Sequence, residues 1–165
     1  MNDPDRSTGD QPSPPAFAAP FQADPDVIRW RLFFRSQPDA VYQALATAGG
    51  RSRYWAESAH EQDGVIHFVV PGGLESRGRV LEAVPSRCFA AEYFGWTVRF
   101  DLHPDPASGG TDLTMTCHNV PPADRVEVIA GWVSVLMAMK AAVDYGVDLR
   151  NHDSERTWWQ GYADN

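Results

Sequence analysis

The sequence predicts an α+β domain in which a curved antiparallel sheet is covered by one long C-terminal helix. Three observations carry that prediction. Between positions 27 and 119, segments that alternate apolar and polar residues recur, separated by turn residues. After Pro121-Pro122 the period changes, and Trp132, Val135, Leu136, Met139 and Val143 mark one stripe of a long helix ending near Gly146. In GWVSVLMAMKAAVDYG, Gly131 to Gly146, only Ser134, Lys140 and Asp144 interrupt the apolar run. A curved sheet with a single helix of this kind must use it to cover the concave face, since both apolar surfaces would otherwise meet water.

Taken in order, residues 1–26 hold six prolines, five aspartates and a single arginine, and are expected to form a disordered tail before a domain spanning 27–165. In VIRWRLFFR, Ile28, Trp30, Leu32 and Phe34 alternate with Arg29, Arg31 and Phe33, the period of a half-buried strand. Ser36 offers an N-cap and Pro38 suits a first helical turn. Ala40, Val41, Ala44, Leu45 and Ala48 then follow helical spacing, and Gly49-Gly50 is expected to stop the helix. Arg51 to Trp55 form a further turn.

Six strands are expected near 55–60, 65–70, 76–84, 88–94, 97–103 and 111–119. A two-residue turn at Gly95-Trp96 would pair Phe94 with Thr97, Glu92 with Arg99 and Ala90 with Asp101. Phe89, Ala91 and Tyr93 would then share the other face with Val98, Phe100 and Leu102.

The length of 165 residues fits one core, and 43% hydrophobic with 12% aromatic content is that of a soluble globular chain. No apolar run is expected to be long enough to insert in a membrane. A net charge of −8 argues against nucleic acid, which needs clustered Lys and Arg. Cys88 and Cys117 make neither a disulfide framework nor a zinc set, and no secretory signal pattern opens the chain, so a reducing cytoplasm is the expected location.

Several stretches carry a resemblance. They are PDAVYQAL in the first helix, Trp55, GRVLEAVP at 78–85, TVRFDLHP at 97–104, Thr111, Gly131-Trp132 and the terminal RTWWQGYADN. Together they resemble the START-like or SRPBCC superfamily, and within it the family named for the C-terminal domain of the activator of heat-shock protein 90 ATPase. The resemblance implies a helix-grip fold over roughly residues 27–165, with space between sheet and helix for a small hydrophobic ligand. It also leaves two alternatives, a cyclase- or dehydratase-type enzyme and a protein-interaction module or chaperone cofactor. The eukaryotic activator contacts the chaperone through a separate N-terminal domain, which residues 1–26 are too short and polar to supply.

Under that reading Trp30, Trp55, Phe68, Tyr93, Phe100, Met115, Trp132, Leu136 and Met139 are the candidate pocket lining. In GRVLEAVP either phase of the strand turns a charge toward the inside, which makes Glu82 a candidate anchor or general base, with His67 as companion. The five histidines lack metal-ligand spacing, and no phosphate loop or nucleophile elbow is present, so neither metal nor cofactor is expected. Trp158, Trp159 and Tyr162 are expected to dock on the domain's own edge, with a contact in a homodimer as the alternative.

Overall fold

The computed structural model describes Asp24 and residues 26–164. Apart from Asp24 and Asp26, the tail expected over 1–26 lies outside the described residues. The chain runs β1 (Val27–Phe34), α1 (Pro38–Ala46), α2 (Ala48–Arg51), β2 (Ser58–Gln62), β3 (Val65–Val69), β4 (Glu75–Val84), β5 (Cys88–Tyr93), β6 (Trp96–Pro104), β7 (Thr111–His118) and α3 (Arg125–Tyr145). The seven strands form one antiparallel sheet in the order β1-β7-β6-β5-β4-β3-β2, and α3 covers its inner face in a helix-grip fold.

Alternation fixes which side chains face α3. Trp30, Met115, Phe100 and Phe89 make one cross-strand row, and Ile28, Cys117, Val98, Ala91 and Val80 make the next. Against these rows α3 buries Val128, Trp132, Leu136, Ala138, Met139 and Ala142. At 21 residues α3 is more continuous than expected, and by length and composition it could cross a membrane. Here its inner face is instead packed in the core.

Four local expectations are corrected. Gly49 and Gly50 lie inside α2 rather than ending a helix, with the Thr47 hydroxyl accepting from the Gly50 N–H. A Cβ on Gly50 would come within 2.3 Å of the Gln43 carbonyl oxygen, so this glycine permits a close approach of two helical segments. Ser36 does not cap α1; Gln37 stands at that position. The β5–β6 hairpin turns at Phe94-Gly95, with φ of 48° and 87°, the doubly positive geometry of a type I′ turn. The pairing therefore moves to Glu92 with Thr97 and Ala90 with Arg99, which keeps the inward set together but separates Glu92 from Arg99.

The fourth correction concerns β4. Val80 pairs with Ala91 but Glu82 pairs with Ala90, so Leu81 is an extra residue in a bulge. A bulge inverts the phase of the strand beyond it, and Glu82 moves from the inner row to the outer one.

The polar residues of α3 anchor it. The Asp144 carboxylate is fully shielded from solvent and accepts from the Arg35 N–H, the Ser36 N–H and the Ser36 hydroxyl at 2.9 to 3.1 Å. Lys140 pairs with the same carboxylate at 2.9 Å and donates to the Phe33 carbonyl. Burial pushes the Asp144 pKa up, but Lys140 and these donors outweigh it and hold it below the ordinary aspartate value. Asp144→Ala strands the Lys140 ammonium and three donors, so it is expected to destabilise the domain by about 3 kcal/mol in denaturant unfolding. A cost below about 1 kcal/mol would show that α3 docks without this anchor.

Candidate functional site

Most of the predicted lining residues are packed in the core. Phe68, Phe100, Met115, Leu136 and Met139 are buried core residues, and Trp30 is half-buried and packed against them. None of these six predicted lining residues lines the groove at the N-terminal half of α3. Trp55 is the hub of this packing, with ring centroids 5.2 Å from Phe68, 5.4 Å from Tyr93, 5.6 Å from Phe100 and 5.7 Å from Trp132.

The other three predicted residues, Trp55, Tyr93 and Trp132, reach a groove of about 350 Å³ at the N-terminal half of α3. The β3–β4 connection contributes Val70, Pro71 and Leu74, and the β5–β6 hairpin contributes Phe94 and Trp96. From α3 and the residue before it come Asp124, Glu127, Val128, Gly131, Ser134 and Val135, and the C-terminal segment adds Trp158 and Trp159. Cavities of this size hold a small organic molecule.

The C-terminal segment is held over the groove by specific bonds. Its 3-10 helix, Trp158–Gln160, starts with a capping box between Thr157 and Gln160. The Trp158 indole N–H donates to Glu127 at 3.0 Å, and the Ser134 hydroxyl donates to the Ala163 carbonyl at 2.5 Å. Thr157 packs on Gly72, where a Cβ would lie 3.1 Å from its methyl group and φ is +83°, so only glycine suits both demands. Asn151 closes the loop on Asp164 through its backbone N–H at 2.7 Å and its side-chain amide at 3.1 Å.

Burial dominates the ionisable groups around the core. It raises the Tyr93 phenol and pushes the Cys117 thiol up to about 12, so neither ionises at neutral pH. The Trp55 indole N–H lies close to the Tyr93 phenol without reaching hydrogen-bond geometry. The buried Trp96 indole N–H has no hydrogen-bond partner.

Glu82 and His67 are both outside the groove. Glu82 is exposed on the outer face and pairs with Arg99, whose hydrogen bond lowers its pKa, the opposite of a general base poised near neutrality. His67 alternates outward on β3 between the buried Ile66 and Phe68 and meets Glu75 at 2.9 Å. Among the described residues no three His, Cys, Asp or Glu side chains form a metal-sized cluster. Sequence periodicity missed Val70, Pro71, Leu74, Phe94 and Trp96, which lie in or beside turns; the available signal was apolar residues at turn positions.

Residues 35–144 match the family described as Activator of Hsp90 ATPase homolog 1-like protein. The chain belongs to this family. Among solved structures, the fold is similar to that of a Staphylococcus saprophyticus protein, with a TM-score of 0.64 at 18% identity, covering 75% of this chain and 96% of that one. It is also similar to the Aha1 dimer from Colwellia psychrerythraea, with a TM-score of 0.63 at 19% identity over 73% and 97% of the two chains. CalU16 from Micromonospora echinospora gives a TM-score of 0.57 at 21% identity over 70% and 72%. No curated protein matches the chain. The matched family region ends at residue 144, so the segment that covers the groove lies beyond it.

That segment is tied down at its start by His152, whose Nδ1 meets Glu57 at 2.9 Å and whose Nε2 meets Asp148 at 3.1 Å. Two carboxylates on two ring nitrogens favour the imidazolium, and the bond to Glu57 leads in raising the His152 pKa. The stabilisation is therefore complete below the unfolded-state value near 6.5 and is lost as pH rises through the raised folded value. His152→Ala is expected to lower stability by up to about 1 kcal/mol at pH 6, solvent screening limiting the effect. The wild-type minus variant difference, followed by thermal melts, should shrink toward pH 8.5; a difference that grows with pH would contradict the ion-pair reading.

Proposed function

We propose that the protein binds a small, mostly apolar organic molecule in the groove between the β5–β6 hairpin, the N-terminal half of α3 and the C-terminal segment. The observation that carries this reading is an aromatic-lined space of about 350 Å³ beside the buried core. Rigid rings provide apolar contact area at small entropic cost, and burying such area contributes about 25 cal/mol per Å². The proposed ligand site is the mouth between helix and sheet at the N-terminal half of α3. Its free, buried cysteines suit a reducing compartment, and we propose the cytoplasm.

Gly131 gives a test that does not depend on damaging the core. It lines the groove, and a Cβ built there meets nothing within 4 Å. Gly131→Leu should fill the groove while raising helix propensity by up to about 1 kcal/mol. Titration with the neutral probe N-phenyl-1-naphthylamine is expected to give at least a tenfold weaker Kd for the variant, with Tm unchanged or higher. Equal affinities in a folded variant would remove the groove as the binding site.

A second observation favours self-association, which we propose as the protein's assembly state. On the outer side of α3, Val126, Val133, Met137 and Tyr145 are 80%, 41%, 49% and 57% exposed, with the Lys140–Asp144 pair between Met137 and Tyr145. Exposed large apolar residues along one side of a helix mark a contact surface. The similar Colwellia protein is a dimer in solution. Val133→Glu with Met137→Glu should convert a dimer to a monomer in sedimentation velocity; a monomeric wild type at 100 μM concentrations, on the order of many times a micromolar Kd, would dismiss the proposal.

A further inference from the structure

We infer that the groove selects organic cations, an apolar or aromatic body carrying a protonated amine or quaternary ammonium, over neutral and anionic molecules of the same shape. The inference deepens the ligand reading above and rests on it. It comes from the charges at the groove's mouth. Asp124 and Glu127 are carboxylates in its lining, one turn apart at the start of α3, and no Lys, Arg or His lines it. Arg125, between them in sequence, is turned to the carbonyl oxygens of Asp24 and Val27. Arg156, next to the covering segment's 3-10 helix, is paired with Asp153.

The arrangement of the rings supports the same charge preference. Glu127 is fixed by the Trp158 indole N–H, which puts a carboxylate beside the edge of an aromatic ring that lines the groove. Trp96, Trp158 and Trp159 line the groove, and a cation is attracted to the electron-rich faces of indole rings when water is displaced. An anion would meet the carboxylates with nothing in the lining to compensate it, and the chain's net charge of −8 adds to that penalty. The Trp96 indole N–H has no acceptor but is shielded from solvent, so it offers the groove no donor. Being neutral, it leaves the choice of charge to Glu127 and Asp124. The preferred molecule is therefore an amphiphilic amine whose body lies in the groove over Trp55 and Trp132 and whose cationic end stays at the mouth.

The test uses three molecules with one apolar body: 1-naphthylmethylamine, 1-naphthalenemethanol and 1-naphthoate. Kd is measured on the full chain by isothermal titration and by tryptophan fluorescence at pH 7. The amine should bind about tenfold more tightly than the alcohol, with the naphthoate weakest. Raising salt should narrow the gap between amine and alcohol, as expected for a charge at the groove's mouth. Glu127→Gln keeps an acceptor for Trp158 and removes the charge, so it should bring the amine and alcohol affinities within about twofold of each other. Circular dichroism and Tm establish that this variant is folded, and Asp124→Asn provides the same comparison at the neighbouring carboxylate. An alcohol that binds as well as the amine in the wild type, or a naphthoate that binds best, overturns the cation preference while leaving the ligand groove standing. Failure of all three to bind overturns both.

Discussion

The domain depends on the burial of one carboxylate. Asp144 sits at the end of an otherwise apolar helix and gathers the backbone donors of the β1–α1 connection, the Ser36 hydroxyl and the Lys140 ammonium. A charge without solvent is tolerated only when its lone pairs are occupied, so the requirement runs both ways. The connection must adopt the shape that presents those donors, and the helix must stop where the carboxylate can reach them. Arg53 strengthens the same end by donating to the Ala142 carbonyl at 2.6 Å, satisfying one of the helix's terminal acceptors.

The opposite half of the helix is held differently. It has Trp132 wedged among Trp55, Tyr93 and Phe100, and two polar ties to the C-terminal segment through Glu127 and Ser134. Rings pack with offset edges and faces and do not close every gap between a curved sheet and a straight helix. The space that remains lies where the ring cluster meets the turns, and the C-terminal segment, tied by hydrogen bonds rather than deep packing, covers it. A rigid end and a lightly tied end are thus parts of one helix.

Much of the fold was legible because periodicity reports faces. The inward rows of β5, β6 and β7 and the buried stripe of α3 follow from alternation and helical spacing in Phe89, Ala91, Val98, Phe100, Leu102, Trp132, Leu136 and Met139. What periodicity does not report is a change of phase. The extra residue Leu81 inverts the face of Glu82, and Phe94 adopts a positive φ that sequence preference assigns to glycine or asparagine. The contradiction within GRVLEAVP, a charge facing inward in either phase, is itself the trace of that bulge. The groove was less legible than the core, since its walls are turns and a terminal segment brought together over long sequence distances. Trp158 and Glu127 are 31 residues apart, and no local pattern connects them.

The topology also bears on the order in which the chain becomes stable during synthesis. β1, the first strand made, lies at the sheet's edge and its strand partner is β7, the last one, with Val27 opposite His118. The sheet therefore cannot close until the chain has reached residue 118, and its apolar face stays uncovered until α3 has been added. A ribosome adding roughly 5–20 residues per second completes that interval in seconds. During that time the unfinished domain presents Phe89, Phe100 and Met115 without their helix. Truncation ahead of α3 would leave the same face exposed permanently, so a chain interrupted there is an aggregation-prone product instead of a smaller domain.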